Sequence, residues 1–449
     1  MKNLTLKNII AETGGAYYGD EALLEREVGG ITTDSRAASE GCLFAAIVGE
    51  RVDGHDYVAG TFEKGALCAL CEKKVETDGN IIVVDSTLAA LQKIAAFYRR
   101  QFSIPFIGIT GSVGKTTAKE MIACVLSQRF NVHKTAGNFN NELGVPLTLF
   151  GLREEHTAAV IEMGISDFGE MRRLTNMVAP DCAVFTLIGC AHLEFLGDRP
   201  GVLRAKGEIV ESMPSDGVVI ANGDDDLLAV HNFGLRKVTF GKGEMCDVRA
   251  ENVAASANGT KCDIVIGERR IACEIPVFGE HIVYAALMAA AVGAQYGLSD
   301  EEIANGISLY EPVGSRGRVI EEGGIRIIDD CYNANPTSVA SAISSLAGLD
   351  GRKIAILGDM LELGEDSDKM HYQTGVTALE KGIDLVITTG EMSRKTALGA
   401  RGIHYETKEE LIAALPEFIR EGDSILVKAS NSCRFGDIVQ ALACLHKTI

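Results

Sequence analysis

The segment FIGITGSVGKTTAKEMIACVL constrains this chain more than any other. After Pro105 comes an apolar run of the kind buried on both faces of a parallel sheet. It enters a glycine-bearing turn and then a helical pattern in which Met121, Ile122, Val125 and Leu126 form one apolar face. Strand, turn and helix in that order make a phosphate-gripping loop. Gly111 and Gly114 let the backbone turn tightly, and the N–H groups of Ser112, Val113 and the helix start point at anionic oxygens. Lys115 brings positive charge to the β and γ phosphates, Thr116 can ligate magnesium, and Thr117 continues the helix. The generic GxxxxGK[ST] pattern wants glycine at 109, where this chain has Ile109. The plain alternative is a glycine turn before an ordinary helix.

A chain of 449 residues exceeds one ordinary domain, and roughly 150 residues per domain predicts about three. The net charge of -19 argues against nucleic-acid binding, since phosphate backbones attract broad basic surfaces. A nucleotide site needs only a local cluster of N–H groups and one or two cations, so it remains open. MKNLTLKNIIAETGG lacks the apolar run of a signal peptide, and no stretch approaches roughly 18 apolar residues. A cytoplasmic protein with no membrane span is the expectation. The 12 cysteines have no zinc-type paired spacing. Cys68 and Cys71, in ALCALCE, read as strand packing with reduced thiols.

Short β-rich runs (GCLFAAIVG, ALCALCE, NIIVVDS) alternate with helical patterns up to TLAALQKIAAFYRRQF, forming a first α/β unit. A second begins at Pro105, continues through TAAVIEMGI and DCAVFTLIG, and has the apolar helix HIVYAALMAAAVGAQYG near its end. EPVGSRGR, with Pro312, Gly314 and Gly317, is the candidate linker. Beyond it IRIIDD, VASAISSLAGL, KIAILGD, DLVITTG and SILVKAS alternate strand with helix. This order predicts an α/β protein with parallel sheets covered by helices.

Ligands of such sheets bind outside the carboxyl ends of the strands. Glu162 ends AAVIEMG, where its oxygens suit a hard cation such as Mg²⁺. His192 follows AVFTLIG, and Lys206 in RAKGEI comes soon after. Each has a bland alternative: a helix cap, a satisfied loop histidine, a solvated lysine. Their conjunction with the phosphate loop favours function. Asn138, Asn140 and Asn141 in TAGNFNNELGVPLT are either turn formers or phosphate contacts.

TGSVGKTT, GNFNNELGVPLT, IEMGISDFGEMRRL, IGCAHLEFLG with AKGEI, DDCYNANPTS and LGDMLELG together resemble the Mur ligases, which build the peptide stem of bacterial cell-wall precursors. TTDSR and LFAAIVGERVDGH extend the resemblance to the N-terminal region. It implies an N-terminal UDP-substrate domain (1–102), a central ATP-binding P-loop domain (103–312) and a C-terminal Rossmann-like domain (313–449). DDCYNANP and LGDMLELG look most like the member adding D-alanyl-D-alanine to UDP-N-acetylmuramoyl-tripeptide (UDP-MurNAc-tripeptide) in peptidoglycan synthesis. The implied enzyme is an ADP-forming ligase acting as a monomer through an acyl phosphate.

Carried over by position, the resemblance places Lys115 and the loop on ATP, and Thr116 and Glu162 on one Mg²⁺. It places His192 and a carbamylated Lys206 on a second Mg²⁺, making Lys115, Glu162, His192 and Lys206 the catalytic set. Asn141, His281, Arg318, Asp330 and Asn333, with Asn335 nearby, would complete the nucleotide site. Ser35 and Arg36 would belong to the UDP site. Two departures stand out. Ile282 and Ala285 replace the two asparagines of the family's adenine-reading helix, which leaves phosphate and metal contacts to supply most of the nucleotide affinity. KASNSCRF, with Lys428 and Ser430, differs from the family's stretch at the acceptor pocket. The rival readings are a relative adding single amino acids or glutamyl units, and a P-loop nucleotide switch that makes no bond.

Overall fold

The computed structural model describes residues 1–49, 51–256, 259–277, 279 and 281–445, with His281 described in its backbone only. Its strands form three sheets. β1 (Ala16–Tyr18), β2 (Ile31–Thr32), β3 (Leu43–Ala45), β4 (Cys68–Cys71) and β5 (Ile81–Val83) make the first, ordered β1-β5-β4-β3-β2, with only β1 antiparallel to its neighbour. Cys68 and Cys71 are buried in β4 and belong to different apolar clusters. Both are free thiols, and burial pushes Cys71 up to about 11, so the packing reading holds.

The second sheet holds β6 (Phe106–Thr110), β7 (Val132–Lys134), β8 (Ala158–Glu162), β9 (Cys182–Phe185), β10 (Val218–Asn222), β11 (Arg236–Gly241), β12 (Val248–Ser256), β13 (Gly259–Ile266) and β14 (Arg269–Ile275). Their order is β14-β13-β12-β11-β10-β9-β6-β8-β7. The run from β7 to β12 is parallel, as expected; β13 and β14 extend it as an antiparallel meander. Parallel pairing fits β6, whose five residues are all buried. Ile107 and Ile109 pack on Ala118, Met121, Ile122, Val125 and Leu126 of the helix Lys115–Leu126, confirming its apolar face. Phe106 joins the cluster on the other side, with Leu91, Ile94 and Tyr98 of the helix Thr87–Arg99. Burying one such aliphatic side chain contributes about 1.5–3 kcal/mol.

The third sheet contains β15 (Arg318–Glu322), β16 (Ile325–Asp329), β17 (Lys353–Leu357), β18 (Leu385–Thr389), β19 (Ile403–Tyr405) and β20 (Ser424–Lys428), ordered β15-β16-β20-β17-β18-β19. Only the edge strand β15 runs antiparallel to its neighbour. Among the described residues no helix is long and apolar enough to cross a membrane.

Candidate active site

In the central sheet β9, β6 and β8 are neighbours and parallel, so the residues following them share one edge. Ile109 explains the departure from the generic loop pattern. It is still a strand residue, buried and in register with Glu162 on one side and Val184 on the other. The turn begins two residues later. Gly111 has φ 142°, and a Cβ there would stand 1.9 Å from Oγ1 of Thr186, so no other residue fits. Gly114, at φ 83°, is the N-cap of the helix Lys115–Leu126.

The segment after β9 holds the loop in place. Thr186 Oγ1 donates to the Val113 carbonyl (2.6 Å), Ser112 N to the Leu187 carbonyl (2.9 Å) and Gly189 N to Ser112 Oγ (2.9 Å). No side chain caps the first N–H groups of the helix, which leaves them for an anion. Lys115 Nζ donates to the Gly111 carbonyl at 2.9 Å. Burial lowers its pKa, nearby Glu162 opposes that, and Arg316 adds to it. A phosphate would relieve this crowding of positive charge.

Thr116, in the first turn, donates through Oγ1 to Glu162 Oε2 at 2.9 Å, and Asn140 Nδ2 donates to Oε1 at 2.8 Å. Lys119 Nζ holds the Thr135 carbonyl at 2.7 Å, and Thr135 Oγ1 accepts from Glu162 N at 3.0 Å. The P-loop helix thus anchors the asparagine loop. Asn141 lines the same cavity, but its Oδ1 accepts from Gly144 N (2.8 Å) as a turn former. The Asn138 carbonyl accepts from Asn140 N at 2.7 Å.

His192 precedes the short helix Leu193–Leu196 with φ 55°, a left-handed backbone that costs about 1–3 kcal/mol in a non-glycine residue. Its Nδ1 stands 2.5 Å from Glu362 Oε2, within ion-pair range but off the line a hydrogen bond needs. Burial lowers the His192 pKa; Glu362 opposes the shift, while Lys206 and Lys115 reinforce it. Lys206, in the helix Arg199–Gly207, is 1% exposed. Burial, then the charge of Lys115, drives its pKa well below the usual lysine value against the pull of Glu170. No hydrogen bond or ion pair ties its amine to another described residue.

Among the described residues no three histidines, cysteines or acids converge as a ready metal site. The donor set nevertheless fits hard cations. Thr116 and Glu162 offer oxygens, His192 offers an imidazole nitrogen on the side away from Glu362, and Lys206 is a buried amine pushed toward its neutral form.

The third sheet's domain closes the site. Asp330 and Asn333, after β16, share a cavity of about 580 Å³ with the P-loop, Glu162 and His192. Lys428 Nζ, at the end of β20, donates to Asp330 Oδ2 (2.6 Å) and to the Asn333 carbonyl (2.9 Å). Asn335 also lines the cavity and caps the helix Pro336–Ala347 through Ser338 N. Ser430 Oγ accepts from Leu361 N at 3.0 Å. Arg318 lies exposed on the edge strand and lines neither cavity described here; Arg316 lines this one, its guanidinium 3.5 Å from the Tyr332 ring centroid.

A second cavity, of about 1050 Å³, flanks the loop and is lined by Thr117, Asn222, Asp224, Tyr284 and Ala285 among others. Tyr284 Oη donates to Asp224 Oδ2 at 2.9 Å. Ala285 faces this space, whereas Ile282 is buried in the core. The side chain of His281 lies outside the described residues. Ser35 and Arg36 lie after β2 and line neither cavity. Arg36 pairs with Asp34 at 2.8 Å.

Asn140, Arg316 and Glu362 take places at the site that sequence reasoning had not assigned them. Asn140 carried a signal of its own, as one of three candidate asparagines; Glu362 lies in LGDMLELG and Arg316 in EPVGSRGR, segments singled out without a role for either residue.

Three family models match the chain: "Mur ligase family, catalytic domain" over residues 27–99, "Mur ligase middle domain" over 109–293 and "Mur ligase, glutamate ligase domain" over 315–431. The UDP-N-acetylmuramoyl-tripeptide–D-alanyl-D-alanine ligase of Bacillus subtilis (strain 168) is 38% identical, with 98% of each chain covered. The crystal structure of MurF from Acinetobacter baumannii superposes with TM-score 0.92 at 32% identity, covering 98% of both chains. MurF from Thermotoga maritima in complex with ADP superposes at 0.85 with 27% identity, covering 93% of this chain and 98% of that one.

Proposed function

Because this chain belongs to the Mur ligase family, we propose that it joins D-alanyl-D-alanine to UDP-MurNAc-tripeptide with conversion of ATP to ADP and phosphate. The observation that carries the proposal is the shared cavity in which the P-loop and Glu162 meet Asp330, Asn333 and Lys428. A nucleotide switch has no use for that second wall. We draw the domains at 1–102, 103–312 and 313–449, a division supported by each span holding one of the three sheets. Both cavities are lined from this one chain, and a monomer is the form we propose. Its proposed nucleotide substrates support a cytoplasmic location.

The tripeptide's terminal carboxylate oxygen bonds to the γ-phosphorus and ADP leaves, giving an acyl phosphate. The amine of D-alanyl-D-alanine then attacks the acyl carbon, a proton leaves the nitrogen, and phosphate departs from the tetrahedral intermediate. Lys115 and the loop N–H groups of Gly111 to Thr117 bear on the phosphate charge throughout. Thr116 and Glu162 would hold one Mg²⁺, and His192 with carbamylated Lys206 a second. Magnesium, when bound, neutralises charge on the transferring phosphoryl group. The buried amine supports a carbamate at Lys206: neutral Nζ bonds to the carbon of CO₂, a proton is released, and anionic oxygens replace an ammonium that cannot ligate metal. Asn141, His281, Asp330 and Asn333 serve the nucleotide, with Arg316 rather than the exposed Arg318 lining the cavity of Asp330 and Asn333, and Ser35 and Arg36 the UDP moiety. Closure of the third domain over the acyl phosphate keeps water out.

The test is product mass. Incubation with ATP, Mg²⁺, UDP-MurNAc-tripeptide and D-alanyl-D-alanine yields the UDP-linked pentapeptide. A product formed only with single amino acids would overturn the assignment.

A further inference from the structure

His192 and Glu362 meet across two domains. His192 belongs to the loop after β9; Glu362 belongs to the loop after β17, in the sequence LGDMLELG. Both residues have left-handed backbones, φ 55° and 62°, which non-glycine residues adopt rarely and only where surrounding contacts enforce it. On the Glu362 side those contacts are visible. Met360 N donates to Nε2 of buried His371 at 3.0 Å, and Leu361 N donates to Ser430 Oγ at 3.0 Å. The Glu362 loop is therefore pinned to its own domain immediately before it turns toward His192. Two further approaches tie the domains at the same place. A Cβ on Gly364 would stand 3.5 Å from Glu194 Cα, and one on Gly189 would stand 2.7 Å from Thr337 Oγ1.

We propose that Glu362 is a positioning residue that fixes the His192 ring from the opposite domain, so that the second cation site is complete only when the domains close. Its carboxylate occupies the Nδ1 side of the ring at 2.5 Å, which leaves Nε2 as the nitrogen available to a metal. A carboxylate facing the far nitrogen of a ligand histidine orients the ring and raises its basicity through its charge, and a small rotation of either side chain turns this ion-pair contact into the hydrogen bond that fixes the tautomer. Here that carboxylate arrives on a different domain, and an open enzyme lacks it. Cation binding at His192 and closure of the third domain thereby stabilise one another, and the ligase is armed against ATP hydrolysis until it has shut. The inference rests on His192 being a metal ligand.

The experiment counts Mn²⁺ ions bound to ADP-loaded full-length enzyme by electron paramagnetic resonance, beside the Mg²⁺ dependence of kcat. Glu362→Asn keeps a residue that tolerates the left-handed backbone while removing the charge; Glu362→Asp retains the charge on a shorter arm. In Glu362→Asn the weaker Mn²⁺ site loses on the order of 10–100-fold in affinity and kcat falls with it, while KM for ATP stays unchanged. Glu362→Asp recovers part of both, and Glu362→Asn added to His192→Ala causes no further loss. Unchanged Mn²⁺ affinity in Glu362→Asn, with a weakened site in His192→Ala, overturns the positioning role alone. Unchanged affinity in both variants overturns the metal reading of His192 beneath it.

Discussion

The Thr116 hydroxyl donates to the Glu162 carboxylate across 2.9 Å, tying the first turn of the P-loop helix to the end of a neighbouring strand. Asn140 takes the other carboxylate oxygen, so a side chain only 2% exposed is fully oriented by two neutral donors. Asn140→Ala therefore lowers kcat on the order of 10–100-fold with a raised Mg²⁺ requirement, since it removes the group that orients a cation ligand. Glu162→Gln, which removes the charge itself, loses more. Steady-state rates across a Mg²⁺ titration check both; equal rates in wild type and Asn140→Ala would show that the hydrogen bond only shapes the loop.

Gly111→Ala abolishes nucleotide binding and destabilises the protein by about 1–3 kcal/mol, because its Cβ would collide with Thr186 Oγ1 at a backbone angle only glycine accepts. Thr186 cannot simply swing away, as its hydroxyl secures the Val113 carbonyl. Denaturant unfolding and ADP titration measure the two effects. A stable variant with normal ADP affinity would contradict the loop geometry.

Lys206→Ala loses most activity, and millimolar formate or acetate restores part of it by supplying the missing carboxylate oxygens. Wild-type activity also falls in CO₂-depleted buffer and returns with bicarbonate. Full activity in the plain mutant would make Lys206 a structural lysine.

His371 is fully buried, with Nε2 accepting from Met360 N and Nδ1 donating to the Ser367 carbonyl at 2.8 Å. Nε2 can accept only in the neutral ring, and burial lowers the pKa from the ordinary histidine value of 6.5. The unfolded chain then binds more protons than the folded one between that lowered value and 6.5, so stability is full above 6.5 and falls as pH drops through the window. Urea unfolding of wild type and His371→Gln from pH 7.5 down to about 5 should show the steeper loss in wild type. Parallel slopes would mean that His371 does not titrate on unfolding.

The central strand, the loop and the amphipathic helix were legible because long apolar runs and glycine turns leave strong local patterns. Glu162 and His192 were found as strand-end residues, and the strand order then brought them to one edge. β12 to β14 went unread because a surface meander alternates buried and exposed positions, as in the pattern of β14, and offers no long apolar run. The roles of Arg316 and Glu362 stayed unread for another reason, although EPVGSRGR and LGDMLELG were singled out: both residues reach the site through loops whose positions depend on how two domains meet. Arg318, two residues past Arg316, shows how little a linker sequence says about which arginine faces inward.

The most direct measurement is phosphate release from ATP with each substrate omitted in turn. The account predicts release only when UDP-MurNAc-tripeptide and D-alanyl-D-alanine are both present, in amounts equal to the pentapeptide formed. Release with neither substrate, or with free amino acids in place of the dipeptide, would contradict it.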